Sequence, residues 1–77
     1  MPDRKITELK VRLVRALKAY GTAHQLSQSE MSVLLETTQP RMSNLYHEQY
    51  GKFSLDQLFK WAYTLNIETQ TTLNIQS

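Results

Sequence analysis

The chain contains no cysteine, which removes disulfides and thiolate metal ligands at once. Its only histidines, His24 and His47, are too far apart to serve as a helix-borne pair of metal ligands. With two glycines in the whole chain, a phosphate-cradling glycine loop cannot be built, and no nucleophile elbow or metal spacing accompanies the serines, histidines and aspartates. The expectation is therefore a non-enzyme that takes no cofactor and no metal. Uninterrupted apolar stretches are missing as well. Met1 to Tyr20 holds six Lys or Arg and reads as neither a signal peptide nor a membrane span. Together with the lack of cysteine, this points to a cytosolic protein without membrane contact.

What is present fits one small domain over residues 1–77. Apolar residues make up 40% of the chain, enough for a core, although a chain this size buries only about 60% of its unfolded surface. Without disulfide or metal, tight helix packing or association must supply the rest. The net charge is only +2, yet six of the nine basic residues (Arg4, Lys5, Lys10, Arg12, Arg15, Lys18) fall in the first quarter, against Asp3 and Glu8. A basic end of this kind can face an anionic partner or simply form a solvated outer helix face.

The residues Ile6, Leu9, Leu13, Ala16, Leu17 and Tyr20 recur at three- and four-residue steps, which predicts a helix from about Asp3 to Tyr20, capped by Asp3 and ended by Gly21. Thr22 to Gln25 reads as a connector. Ser27 and Glu30 then form an S-x-x-E capping box, with Leu26 and Met31 placed as a hydrophobic staple, and open a short second helix with Met31, Leu34 and Leu35 inward. A third helix is predicted after Thr38 as cap, because Pro40 then falls in the first turn, where its missing N–H costs little. Met42 and Leu45 face inward in this reading, and Gln39, Arg41, Ser43 and Asn44 lie on the other faces. After a break at Gly51, Ser54 and Gln57 give a second capping box with Phe53 and Leu58 as its staple. The fourth helix runs to about Leu65, with Leu55, Leu58, Phe59, Ala62 and Leu65 buried and Trp61 and Tyr63 directed partly elsewhere.

From Ile67 the period changes to two: Ile67, Thr69, Thr71, Leu73 and Ile75 alternate with polar residues, the pattern of a strand over about 67–75. A lone strand leaves its backbone groups unpaired, so the same strand of a second copy is the simplest partner and a homodimer is expected.

Two short helices joined by a tight turn, the second rich in exposed polar groups, make up a helix-turn-helix unit, which lays its second helix in the major groove of DNA. Here the unit covers about residues 28–47. The stretch LSQSEMSVLLETTQPRMSNLYHEQYGKFSLDQLFKWAYTLNI resembles the Cro/C1-type (XRE) helix-turn-helix family, in particular its small branch of HigA-type antitoxins and phage or plasmid repressors. The resemblance is carried by Leu26-Ser27-Gln28 at the opening, the small Ser32 mid-helix, Gln39-Pro40-Arg41-Met42-Ser43 in the recognition helix and Lys52-Phe53-Ser54-Leu55-Asp56 beyond it. It departs at the turn, where Glu36 stands in place of the family's glycine and carries a steric penalty if the backbone there is left-handed.

The resemblance implies a mainly α, four-helix, lambda-repressor-like domain that binds double-stranded DNA. It implies Gln28 as a phosphate contact, Gln39 as a base reader and Lys52 as a phosphate contact. Residue chemistry adds Asn44, whose amide can pair with adenine, Arg41, which can bind guanine or a phosphate, and the hydroxyls of Thr38 and Ser43. The expected function is a dimeric repressor or autoregulator reading a palindromic operator. The alternative is an antitoxin-type module that neutralises a partner toxin through the first helix or Trp61, with DNA binding as its autoregulatory arm. A third reading is a unit that only dimerises.

Overall fold

Three of the helix starts in this chain are set by short polar side chains in the structure, a computed structural model describing residues 2–67. Helix α1 spans Pro2–Ala23, α2 Gln28–Leu34, α3 Gln39–Tyr46 and α4 Leu55–Thr64, with a 3-10 turn at Tyr50–Lys52 before α4. At the head of α2 the Ser27 hydroxyl accepts the Glu30 N–H at 3.0 Å and the Glu30 carboxylate accepts the Ser27 N–H at 2.8 Å, the complete reciprocal box. Thr38 caps α3 by accepting the Arg41 N–H at 3.4 Å. Ser54 caps α4 by accepting the Gln57 N–H at 3.1 Å, so only this half of the second expected box is formed.

Helix ends follow one rule, which the sequence reading anticipated only at Glu36. All four α-helices close with the same pair of backbone bonds, seen in α2 as Glu36 N–H to Val33 O at 3.1 Å and Thr37 N–H to Ser32 O at 2.8 Å. This is the Schellman motif, which requires a left-handed residue just past the helix and usually recruits glycine. Here the left-handed positions are held by Gln25, Glu36, Glu48 and Asn66, with φ between 55° and 58°. Gly21 does not end α1, which continues through it to Ala23 and shortens the expected connector. Helix α1 begins at Pro2, one position ahead of the Asp3 expected to precede it as cap.

The left-handed backbone expected to strain the turn at Glu36 is therefore present, with φ 55°. Glu36 is exposed and its side chain forms no hydrogen bond among the described residues, so Glu36→Gly should remove the Cβ conflict and lose little else. We expect a gain of about 1 kcal/mol, or roughly 4–8 °C in Tm for a domain of this size, read by thermal unfolding. An unchanged or lower Tm would show that the turn stores no such strain.

The core draws on every helix. Leu13, Val14 and Leu17 of α1 meet Met31 and Leu35, Met42 and Leu45, Phe53, and Leu58, Trp61, Ala62 and Leu65. Helix α1 packs chiefly on α4, and α2 on α3. Three expectations about burial need correcting, the first being Leu34, placed inward in α2 but 45% exposed. The inward stripe of α1 begins at Leu9 and includes Val14, while Ile6 is 43% exposed because Arg4 to Glu8 extend past the globular part. The 35 Å long axis of the molecule matches the ~33 Å of a 22-residue helix at about 1.5 Å per residue. Trp61, expected to face partly outward, is only 3% exposed and meets Phe53 edge to face at 5.5 Å. Tyr63 is the residue that faces outward.

No strand occurs among the described residues. The expected strand over 67–75 lies outside them apart from Ile67, which is half-buried against the core and whose N–H closes α4 on Ala62 O.

Candidate nucleic-acid interface

The polar residues of α3 are displayed because the apolar ones are anchored. Met42 and Leu45 are fully buried, and with about 100° of rotation per residue the opposite side of the helix carries Pro40, Ser43, Asn44 and His47. Met31 and Leu35 at the other side of the turn are also buried, fixing α2 against α3. Ser32, the small residue mid-helix, is buried with its hydroxyl donating to Ser29 O at 2.7 Å, so it adds no unpaired polar group to the contact.

The seven candidate residues are distributed over α2, the cap and body of α3, and the 3-10 turn. Gln39 is exposed at the first turn of α3, and its side-chain amide donates to the Ser29 hydroxyl on α2 at 3.2 Å. This bond leaves the Gln39 carbonyl oxygen and one amide hydrogen free, which is the pair an adenine edge requires. Gln28, next to Ser29, is exposed in the first turn of α2. Asn44 and Ser43 are half-buried on the outward side of α3, and the Ser43 carbonyl is bonded by the His47 ring Nδ1 at 2.7 Å. Thr38 uses its hydroxyl oxygen as the α3 cap. Lys52 is exposed in the 3-10 turn. Arg41 is half-buried, with its guanidinium carbon 4.9 Å from the centre of the Phe53 ring and 5.6 Å from that of Trp61.

Three contributors escaped the sequence reading: Ser29, and the ring pair Phe53 and Trp61. No local pattern marks them, because each acts on a residue brought close only by packing between helices.

Beyond α3, the left-handed residue Glu48 ties the helix end to α1. Its carboxylate accepts from Lys18 Nζ at 2.9 Å and from Arg15 Nε at 3.3 Å. These hydrogen bonds, the Lys18 one foremost, hold the Glu48 carboxyl below its ordinary pKa. Two cations of the basic first quarter thus face a carboxylate of the same chain at the surface. Tyr46, the last residue of α3, has its hydroxyl oxygen enclosed with no hydrogen-bond partner among the described residues. Burial raises its pKa above the usual tyrosine value, against a smaller lowering by the Lys18 charge.

Among the described residues, no group of three or more His, Asp or Glu side chains is placed to hold a metal ion, and no helix is long and apolar enough to cross a membrane. The burial of Trp61 withdraws one of the two surfaces on which a toxin-binding reading was placed.

No curated protein matches the chain. No solved structure matches it either. A family described as a helix-turn-helix domain matches residues 1–73, nearly the whole chain and all of the α2–turn–α3 unit. With that match over the geometry just described, the chain belongs to the helix-turn-helix domain family.

Proposed function

We propose that the protein is a sequence-specific DNA-binding transcriptional regulator, a dimeric repressor that reads a palindromic operator with α3. The observation that carries this reading is the outward display of Ser43 and Asn44 on a helix anchored by Met42 and Leu45, with the Gln39 amide held at its start by Ser29. Amides at these places can pair with adenine N6 and N7, each good bidentate pair discriminating by about 1–3 kcal/mol. Gln28 and Lys52 flank the helix as phosphate contacts. Thr38 serves the interface by fixing the first turn of α3.

Within the family we place the chain in the Cro/C1-type (XRE) branch. The left-handed turn at Glu36, where that branch carries glycine, and the Gln39-Pro40-x-x-Ser43 start of α3 support the placement. The alternating residues from Ile67 to Ile75 are the proposed dimer contact, and a dimer with one recognition helix per half-site sets half-sites about 10 bp apart.

The test is selection of bound sequences from random duplex DNA at physiological salt, with Gln39→Ala and Asn44→Ala beside the wild type. A palindrome is expected for the wild type. Each variant should lose preference at its own base pairs, by about 1–3 kcal/mol, while other positions stay sharp. A Gln39→Ala protein that loses cognate and random DNA equally would strip Gln39 of its base-reading role.

A further inference from the structure

Arg41 belongs to α3 but stands off its outward line, turned toward the seam between α3 and α4. One face of its guanidinium is covered by Phe53 and Trp61, at 4.9 Å and 5.6 Å from the ring centres. Those rings are 2% and 3% exposed and pack edge to face on each other, so the platform beneath the arginine is part of the core and cannot swing. The backbone N–H of Arg41 is held in turn by the Thr38 cap.

A guanine-reading arginine must extend from its helix into the groove and aim two N–H groups at O6 and N7. Arg41 is instead half-buried, with its guanidinium carbon seated over the Phe53 and Trp61 rings. Lys52 directly precedes Phe53 and is exposed at the end of the 3-10 turn. Cations level with the surface beside a recognition helix meet the rim of the groove, where the sugar-phosphate backbone runs, and not its floor.

We infer that Arg41 is a backbone-phosphate contact oriented by the Phe53–Trp61 pair, adding affinity without sequence preference and leaving base discrimination to Gln39, Ser43 and Asn44. Phe53 and Trp61 are positioning residues in this arrangement. The inference rests on the DNA-binding reading above.

The experiment measures binding by fluorescence anisotropy across a salt series, on a duplex carrying the selected site, on its single-base-pair variants and on an unrelated duplex. Arg41→Ala is expected to weaken all of them by one common factor, about tenfold, and to lower the steepness of log K against log salt by about 1. Arg41→Lys, which keeps the charge and loses the planar stack, should keep the salt slope and lose about threefold in affinity. Trp61 is the sole tryptophan, so its emission in the free protein should shift when Arg41→Ala uncovers the ring.

Collapse of preference at one base pair in Arg41→Ala would overturn the inference and make Arg41 a base reader. An unchanged salt slope in Arg41→Ala would remove it from the interface. Unchanged Trp61 emission, with Arg41→Lys binding as wild type, would overturn the orienting role of the rings. If the wild type binds no duplex in a salt-dependent way, the DNA-binding reading fails and this inference falls with it.

Discussion

Gly21→Ala is expected to destabilise the protein by about 2 kcal/mol, although alanine is the better helix former by roughly 1 kcal/mol. Gly21 is buried near the end of α1, and its carbonyl accepts the Leu26 N–H at 2.8 Å in the closing motif. A Cβ added there would collide with the Tyr46 hydroxyl oxygen, while the next atoms, Met31 Cγ and Tyr46 Cζ, stand at 3.4 Å, a tight contact. The conflict is thus with one oxygen, and that oxygen has no hydrogen-bond partner among the described residues. Tyr46→Phe removes an enclosed, unpaired polar atom and is expected to leave stability unchanged or raise it by up to about 1 kcal/mol. The decisive variant is the double one. With phenylalanine at position 46, Gly21→Ala should cost nothing or stabilise slightly, giving a coupling of about 2 kcal/mol between neighbouring sites. Urea unfolding of the four proteins measures it directly. An equal cost of Gly21→Ala in both backgrounds would mean that something other than the hydroxyl excludes a side chain there.

Trp61→Ala is expected to cost about 3–5 kcal/mol, the range for emptying a large aromatic site in a core. A small domain stands at the lower end of the stabilities of folded proteins, about 5 kcal/mol, so this one substitution consumes most of the margin. The variant should show a thermal transition lowered into or below the physiological range, or none at all, by circular dichroism. Trp61 is 3% exposed and joins Phe53 in the space between α4 and the 3-10 turn, so no neighbouring side chain can refill it without moving the turn. A Trp61→Ala protein that melts like the wild type would return this residue to the surface, where a partner-binding role placed it.

The beginnings of α2, α3 and α4 were legible, and the left-handed backbone that closes the helices was less so, for one physical reason. A helix start is written in local side chains, and Ser27, Thr38 and Ser54 each cap the helix that follows. A helix end needs a left-handed backbone, for which glycine is the usual sign, and this chain uses its glycines elsewhere. Gly21 makes room for Tyr46, and Gly51 sits in the 3-10 turn without a positive φ and with open space around it. Of the left-handed positions, Glu36 is marked by the family's glycine and Asn66 is a residue type that tolerates this backbone, while Gln25 and Glu48 give no such signal. Periodicity found the α3 face correctly because Met42 and Leu45 are local to it. It misjudged Trp61 because which side of α4 is covered depends on Phe53, outside the helix.

The candidate site divides along the same line. The polar character of α3 and the exposure of Gln39 follow from the order of residues in one helix and its cap. The Ser29–Gln39 bond spans ten positions across a turn, and the seat of Arg41 depends on two rings from beyond the helix. Both alter what the residues can do: one leaves Gln39 a defined pair of hydrogen-bonding groups, the other draws Arg41 back from the groove.

Polar bonds hold α3 at both ends, Gln39 to Ser29 at its start and, just past its end, Glu48 to Lys18 and Arg15. A helix fixed in this way has little freedom left to lose when a ligand arrives. On the proposed reading, association with DNA is rigid docking, so its heat-capacity change should be set by the area covered at the interface, without the added contribution that accompanies folding on binding.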